Sequence, residues 1–336
     1  MLITWLIVLV ASLYVLTKAA DKFTDTAEKI GTIFKMLSFV VGILFVALGT
    51  SAPELATSIF GVIKGEAGIL AGNVTGSVIA NILLGLGLVV VITRKTAKFN
   101  WDSVANDMAF LLGAGILLAL TIYDGFFGFF EAIIFLLAYG IYVVYSLRIR
   151  KMNRKEIRED LHKEIKSKLK EDFKKSSQDK EKTKPHKKEL IKLILIFIIS
   201  LGFLILAAKF TVDSLIEIAG FIGLGTSVLA TSIVAIGTSL PEISVAVASA
   251  KKGNFDLVLG NIMGSNIFNI FVVFGTIGLF TTISIPSQII YLVLPVLGGV
   301  ILVQWLVTID KKITITEGLL MTILYITFIA KLFNFF

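Results

Sequence analysis

The chain has 336 residues, of which 56% are hydrophobic and 17% are charged, whereas soluble domains usually carry roughly 25% charged residues. It contains no cysteine, which excludes disulfide bonds and thiolate metal sites, and its two histidines lie in one hydrophilic stretch. The net charge of +8 comes from residues 148–188, which alone carry +9, so the basic balance does not indicate nucleic-acid binding.

Apolar runs of about twenty residues recur along the whole chain, and each is long enough to cross a bilayer as a helix. The chain is therefore predicted to be an all-α polytopic membrane protein, because a transmembrane barrel would show short alternating segments. Ten transmembrane helices are predicted, at about 2–19, 36–62, 68–92, 104–122, 127–147, 190–209, 220–249, 256–280, 287–308 and 314–334. We interpret the first as a retained helix, since no basic region precedes it.

The two halves of the chain are similar at an offset of 188 residues. Between residues 46–82 and 234–270, 16 of 37 positions are identical without a gap. They include Gly, Asn, Ser, Pro and Glu in register, which two unrelated apolar segments would not share. Because five helices lie on each side of the basic loop, the halves are predicted to form an inverted repeat, as in many secondary transporters. The predicted units are transmembrane repeat 1 at 1–147, the basic loop at 148–189 and transmembrane repeat 2 at 190–336.

A polar cluster interrupts the second helix of each half. The two clusters are Gly49-Thr50-Ser51-Ala52-Pro53-Glu54 and Gly237-Thr238-Ser239-Leu240-Pro241-Glu242. Proline lacks an N–H and clashes with the carbonyl four residues earlier, so each helix is predicted to break at this point. Such a break is tolerated at membrane depth only where the freed groups find partners or line a cavity. Glu54 and Glu242 have no basic partner in the apolar segments, and an intramembrane carboxylate marks a functional site by default.

The next helix of each half carries a polar stripe with a spacing of four residues. The stripes are Asn73, Ser77 and Asn81 in the first half and Asn261, Ser265 and Asn269 in the second. A pseudo-twofold axis would bring both stripes and both glutamates together near the midplane. Carboxylate, hydroxyl, amide and carbonyl oxygens suit hard cations such as Ca²⁺, Mg²⁺ or Na⁺. For Asn73 and Asn261 the alternative is that they only hold helices together.

Lysine and arginine residues predict the orientation of the chain. Their bias places the loop 148–189 in the cytoplasm and both termini outside the cell, in a multi-pass plasma-membrane protein. The loop carries a narrow apolar stripe on a basic helix, formed by Ile157, Leu161, Ile165, Leu169 and Phe173. This pattern favours a helix that lies on the anionic inner leaflet or packs under the bundle, and the alternative is a regulatory or partner-binding role.

Gly-Thr-Ser-x-Pro-Glu in two inverted halves, each followed by Gly-Asn-x-x-Gly-Ser, resembles the calcium/cation antiporter superfamily, and most closely its sodium/calcium exchanger branch. The resemblance covers all ten helices. It implies a central cation site without a cofactor, transport rather than enzyme catalysis, and movement of helices 1 and 6. The implied site residues are Thr50, Ser51, Glu54, Ser77, Asn81, Thr238, Ser239, Glu242, Ser265 and Asn269, with carbonyls from Ala47 and Ala235.

One position departs from the pattern of the sodium/calcium exchangers, because Asn269 stands where they typically have Asp. Two glutamates offset one divalent cation or two protons, and burial of a carboxylate favours its protonated form. The charge count therefore favours exchange of Ca²⁺ for H⁺, with Na⁺/Ca²⁺ exchange as the alternative because the Thr/Ser pairs are present. A divalent cation channel and an intramembrane enzyme are less favoured, and other divalent cations could replace Ca²⁺.

Overall fold

The computed structural model describes residues 1–33, 50–94, 96–99, 101–146 and 187–335, and within these ranges it is almost entirely helical. The helices are α1 Leu2–Ile33, α2 Ala52–Ile63, α3 Ala67–Thr93, α4 Trp101–Ile122, α5 Phe129–Ser146, α6 Lys187–Ile222, α7 Thr226–Thr238, α8 Leu240–Lys251, α9 Phe255–Gly278, α10 Ile289–Thr308 and α11 Ile315–Leu332. Four two-residue strands join them, namely β1 Ala97–Lys98, β2 Phe126–Phe127, β3 Ile283–Ser284 and β4 Lys312–Ile313.

By length and composition, the described residues account for nine of the ten predicted membrane crossings. Within the described ranges, eight helices are long and apolar enough to cross a membrane, and the bent pair α7–α8 makes a ninth. The remaining predicted crossing, 36–62, is represented by the 12-residue helix α2, and its earlier part lies outside the described residues. The amphipathic stripe of the basic loop lies outside them as well, so its helix stays a prediction.

Two predicted helix ends were wrong, and both errors have the same cause. Helix α1 continues to Ile33 instead of ending near residue 19, and α6 continues to Ile222 instead of ending near 209. Hydropathy falls at these points, but residues 19–30 and 210–219 contain neither Gly nor Pro, so nothing interrupts the helical hydrogen bonds. Helix α6 ends only where Gly223 adopts a φ of +68°, the left-handed conformation that commonly follows a helix. The seventh predicted helix consequently begins at Thr226 rather than near residue 220.

Helices α3 and α9 form the centre of the bundle. In their most apolar windows 78% and 72% of residues are buried, against 17–44% for the other spanning helices of the described chain. Glycine allows the close approach that this position requires: a Cβ atom on Gly72 would lie 2.5 Å from the Ser227 carbonyl oxygen of α7, and one on Gly76 would lie 2.8 Å from the Ala235 Cβ. Gly72 and Gly76, four residues apart on α3, thus form a surface of small residues on which α7 can approach closely.

Helices α1 and α6 pack against each other as an antiparallel pair beside this centre. Thr211 of α6 donates a buried hydrogen bond to Ser12 of α1 at 2.9 Å. Farther along the pair, the rings of Phe23 and Phe197 stack with centroids 4.6 Å apart. The two helices therefore form one long unit, which meets the rest of the protein along one side.

The strand pairs tie the two halves together at opposite ends of the bundle. Strand β1 pairs antiparallel with β4, with Ala97 opposite Ile313, and β2 pairs antiparallel with β3, with Phe127 opposite Ile283. At the offset of 188 residues β1 corresponds closely to β3, and β2 to β4, so exchange of the two halves turns one pair into the other. This pairing pattern is the one expected if the halves are related by a pseudo-twofold axis.

Candidate cation site

The site begins at the break between α7 and α8. The helix axes bend by 42° around Ser239, whose φ and ψ of −83° and 1° leave the helical region. Pro241 removes the N–H that the Gly237 carbonyl would accept in a continuous helix. In its place Thr17 of α1 donates to the Gly237 oxygen at 3.4 Å. The expected break is thus present in the second half, and α1 provides a partner for its freed carbonyl.

The two polar clusters contact each other through a crossed pair of hydrogen bonds. Ser51 Oγ donates to Glu242 Oε1 at 3.3 Å, and Ser239 Oγ donates to Glu54 Oε1 at 3.4 Å. The offset of 188 residues exchanges one bond with the other. All four residues have no solvent exposure. Each half therefore supplies the carboxylate that the serine of the other half contacts, as the predicted pseudo-twofold arrangement requires.

Each glutamate keeps one carboxylate oxygen without a hydrogen-bond partner. These atoms are Glu54 Oε2 and Glu242 Oε2, and the nearby Thr50 Oγ1 is also buried and unpartnered. Burial of a charged oxygen without a partner is costly, so such groups are normally paired or coordinate a cation. Neither glutamate forms an ion pair with any Lys or Arg of the described chain. The two buried carboxylates, each in contact with a serine of the other half, can hold a cation or protons.

Helix α3 places a hydroxyl oxygen between Glu54 and the carbonyl and hydroxyl oxygens of α7. Ser77 Oγ lies 3.5 Å from Glu54 Oε1 and 3.4 Å from Thr238 Oγ1. It also lies 3.5 Å from the carbonyl oxygen of Ala235. The structure thus brings together Ser77, Thr238, Ala235 and Glu54, as the resemblance implied. Ala47, the counterpart of Ala235, lies outside the described residues.

Asn73 and Asn261 bind the backbone of the glutamates. Asn73 Nδ2 donates to the Glu54 carbonyl oxygen at 3.2 Å, and Asn261 Nδ2 donates to the Glu242 carbonyl oxygen at 3.2 Å. Asn73 also contacts Thr57 Oγ1 at 2.9 Å, and its Oδ1 accepts from Thr238 at 3.1 Å. Since its amide is occupied at both ends, the geometry favours a supporting role for Asn73 over direct ligation.

Asn81 and Asn269 lie about two turns farther along α3 and α9 than Asn73 and Asn261 do. Asn81 Nδ2 donates to Asn266 Oδ1 at 3.0 Å, while Asn81 Oδ1 is buried without a partner. Both amide atoms of Asn269 are buried and unpartnered, and Ser265 is 2% exposed. The comparison of the repeats missed Asn266 because its counterpart is Val78. The only signal for it in the sequence is an amide within an apolar helix.

Short π-helical segments direct these amides. Residues Ala80–Leu86 of α3 and Asn269–Val273 of α9 are π-helical, so Asn81 and Asn269 lie on a wider helical turn than their spacing predicts. Such segments frequently occur at functional sites. The polar stripes remain continuous through Ser77, but the amide at the end of each stripe is rotated relative to an ideal α-helix.

Comparisons with known proteins identify the family. A family model described as sodium/calcium exchanger protein matches residues 4–148 and 192–334, which is most of the chain. The chain belongs to the sodium/calcium exchanger family. It is 31% identical to the sodium/calcium exchanger MaX1 of Methanosarcina acetivorans, over 97% of this chain and 98% of the relative. It is 28% identical to the putative antiporter CaxA of Alkalimonas amylolytica, over 82% and 80% of the two chains.

Solved structures support the same assignment for this member of the exchanger family. Structures of the sodium-calcium exchanger NCX_Mj soaked with Na⁺ and Ca²⁺ match with a TM-score of 0.63 and 28% identity, over 98% of this chain and 99% of that one. The superfamily recognised from the paired motifs is therefore confirmed, as is the all-α polytopic architecture. The chain is a multi-pass membrane protein of a transporter family.

Proposed function

We propose that the chain is an antiporter that exchanges Ca²⁺ for Na⁺ across the plasma membrane by alternating access. The observation that carries this proposal is the crossed contact of Ser51 with Glu242 and of Ser239 with Glu54. It links two buried carboxylates from opposite halves, and each of them keeps an unpartnered oxygen. The matched relatives include named sodium/calcium exchangers, which supports the choice of both ions.

The ligand set suits Ca²⁺. Two ionised glutamates balance its charge, and the hydroxyl, amide and carbonyl oxygens around them are hard neutral donors. We assign the carboxylates of Glu54 and Glu242 as the charged ligands. The proposed neutral ligands are Thr50, Ser51, Ser77, Asn81, Thr238, Ser239, Ser265 and Asn269, with backbone carbonyls of Ala47 and Ala235.

Na⁺ fits the same set of ligands better than protons alone do. A pair of protons would need only the two carboxylates, whereas the site also offers buried neutral oxygens without protein partners, including Thr50 Oγ1 and Asn81 Oδ1. Such oxygens are ligands for a monovalent metal ion. Proton/calcium exchange is the second candidate, because Asn269 adds no negative charge and two protons neutralise the site as fully as one Ca²⁺.

Competition for one site explains how transport is coupled. Ca²⁺ and the counter-ion both need the carboxylates of Glu54 and Glu242, so they cannot occupy the site together. Both glutamates are fully buried, so ions reach them only after a conformational change. The long pair α1–α6 carries none of the site carboxylates and packs along the breaks, which makes it the proposed moving unit.

The experiment that tests this proposal uses proteoliposomes that contain a Ca²⁺-sensitive dye. An outward Na⁺ gradient at fixed pH should drive Ca²⁺ uptake, and Glu54→Gln and Glu242→Gln should abolish it. Uptake driven by a pH gradient without Na⁺ would instead identify proton exchange. If Ca²⁺ enters without any counter-ion on the other side, the protein is a channel, and if no gradient drives flux the antiporter proposal is wrong.

The proposed orientation places both termini outside the cell and the loop 148–189 inside, where its basic residues face the anionic leaflet. Because the chain has no cysteine, single cysteines introduced near residue 1 and in the loop report their side directly. We expect a membrane-impermeant thiol reagent applied to intact cells to label the first position only. The reverse labelling pattern would invert the orientation.

A further inference from the structure

We infer that Asn266 determines which end of the Asn81 amide faces the bound cation; this inference rests on the proposed function. Asn81 and Asn266 come from different halves, are fully buried, and are joined by the 3.0 Å bond from Asn81 Nδ2 to Asn266 Oδ1. The amide nitrogen of Asn81 is thereby occupied, and its oxygen is the atom left without a protein partner.

The two ends of a primary amide are opposite in their effect on a cation. The oxygen is an acceptor that can ligate, whereas the NH₂ group is a donor that repels a positive ion. Asn266 supplies the acceptor that keeps the NH₂ group of Asn81 turned away from the site. The counterpart of Asn266 in the first half is Val78, so no equivalent amide fixes Asn269, whose two amide atoms lack partners. Asn266 therefore makes the site asymmetric although the repeats are similar.

The test measures the Ca²⁺ concentration for half-maximal Na⁺-driven uptake in four variants. Asn266→Leu should raise it about three- to tenfold, the effect of losing one buried hydrogen bond, with the maximal rate within about twofold of the native protein. Asn266→Asp keeps the acceptor, so its half-maximal Ca²⁺ concentration should equal the native value or lie below it. In an Asn81→Asp background the ligand has two equivalent oxygens, so adding Asn266→Leu should have no further effect.

Two results would overturn the inference by showing that Asn266 has a purely structural role. The first is an equal loss from Asn266→Leu in both backgrounds, and the second is a lower thermal stability of Asn266→Leu without a change in half-saturation. If the native protein shows no Na⁺-driven uptake, the proposed function fails first. If protons drive uptake instead, the same four variants should give the same pattern of half-saturation.

A different observation concerns a pair of charges that is present twice in the sequence and formed once in the structure. Lys64, just after α2, pairs with Asp213 of α6 at 2.8 Å. At the offset of 188 residues the counterparts are Lys252, just after α8, and Asp25 of α1. Within the described chain, neither Lys252 nor Asp25 has an oppositely charged group within 4.0 Å.

The formed pair and the open pair lie at opposite ends of the bundle. Lys64 is followed by α3, whose Gly68 lies beside Pro286, close after β3. Lys252 is followed by α9, which contacts β1. Helix α9 is 24 residues long, and β3 follows its far end. The formed pair links α6 to the end of α2, which carries Glu54, and the counterpart pair would link α1 to the end of α8, which carries Glu242. Among the described residues, one end of the bundle is therefore linked to the α1–α6 unit by charge while the other is not.

We propose that the two pairs alternate during transport, so that opening Lys64–Asp213 accompanies closing of Asp25–Lys252. In an inverted repeat the two access states are related by exchange of the halves, and the exchange converts one pair into the other. The pairs are partly exposed, with side-chain exposure of 42% for Lys64 and 24% for Asp213. Ion pairs of this kind contribute little individually, so they bias the two states without locking either one.

Charge-neutral variants provide the test. Asp213→Asn should favour the state that lacks the Lys64 pair, and Asp25→Asn should favour the present state, each by up to about fivefold. Access is read from the labelling rate of a single cysteine placed beside the site, in a chain that has no other cysteine. The double variant should return the labelling rate to near the native value. Equal shifts in the same direction from the two single variants would overturn the proposal.

Cross-linking gives an independent measurement. Lys64→Cys with Asp213→Cys, and Asp25→Cys with Lys252→Cys, are each treated with a short bifunctional thiol reagent, because an ion pair spans more than a disulfide does. Both pairs should cross-link and each cross-link should stop uptake, while the control pair Asp25→Cys with Lys64→Cys should not react. Active uptake with no cross-linking of the Asp25–Lys252 pair would contradict the alternation.

Discussion

Replacement of Glu54 by Gln is the sharpest single test of the site. The change keeps the shape of the side chain and removes one of the two carboxylates. In the structure Oε1 of Glu54 accepts only long contacts, 3.4 Å from Ser239 and 3.5 Å from Ser77, and Oε2 accepts none. The protein therefore compensates little of the buried charge, and a bound cation must supply most of the compensation.

The expected magnitude follows from this geometry. At an effective dielectric constant near 20, a divalent cation about 4 Å from one carboxylate is attracted by about 8 kcal/mol. Gln still offers a neutral oxygen and removes the cost of keeping a charge buried, so the net loss should be about 3–5 kcal/mol, as for breaking a buried ion pair. This corresponds to at least a roughly 100-fold weaker binding of Ca²⁺.

Two assays separate loss of binding from loss of folding. Na⁺-driven Ca²⁺ uptake should fall below detection in Glu54→Gln, while the thermal midpoint without Ca²⁺ should not decrease. Ca²⁺ at 100 times its native dissociation constant should stabilise the native protein by about 2.7 kcal/mol and the variant hardly at all. Glu66→Gln is the control, because Glu66 contacts Thr226 at the edge of the bundle. Retention of Ca²⁺-induced stabilisation in Glu54→Gln would refute the assignment.

Three further changes test other parts of the site. Ser51→Ala removes the 3.3 Å bond to Glu242 and should raise the Ca²⁺ concentration for half-maximal uptake about three- to tenfold. An unchanged concentration would show that the crossed contacts do not shape the site. Gly76→Ala places a Cβ against the α7 backbone and should cost about 1–3 kcal/mol in thermal unfolding, whereas Gly260→Ala, with open space around it, should not. Asn269→Asp adds a third acid, so it should tighten Ca²⁺ binding in calorimetry and weaken any proton-driven uptake. Proton-driven uptake equal to that of the native protein would argue against a role of position 269 in counter-ion choice.

The sequence by itself determined the membrane class and the similarity of the two halves, and it predicted the two charged residues of the site. Glu54 and Glu242 could be predicted because a carboxylate within an apolar helix is costly and is rarely retained unless it serves a site. The break at Pro241 could be predicted because the missing N–H is a local property of the residue. That the two polar clusters would meet could also be predicted, since the motifs repeat in register at one offset.

Only the tertiary structure decided which oxygens remain free and which polar groups serve other helices. Asn73 and Asn269 both belong to the polar stripes, yet Asn73 is used at both amide ends and Asn269 at neither. Asn266 has no repeat partner, and the π-helical turns that direct Asn81 and Asn269 have no signature in residue spacing. The ends of α1 and α6 were missed for a different reason, because hydropathy reports the bilayer environment while helix continuity depends on the absence of Gly and Pro. Long-range contacts of this kind depend on how the two halves meet, which the periodicity of either half does not encode.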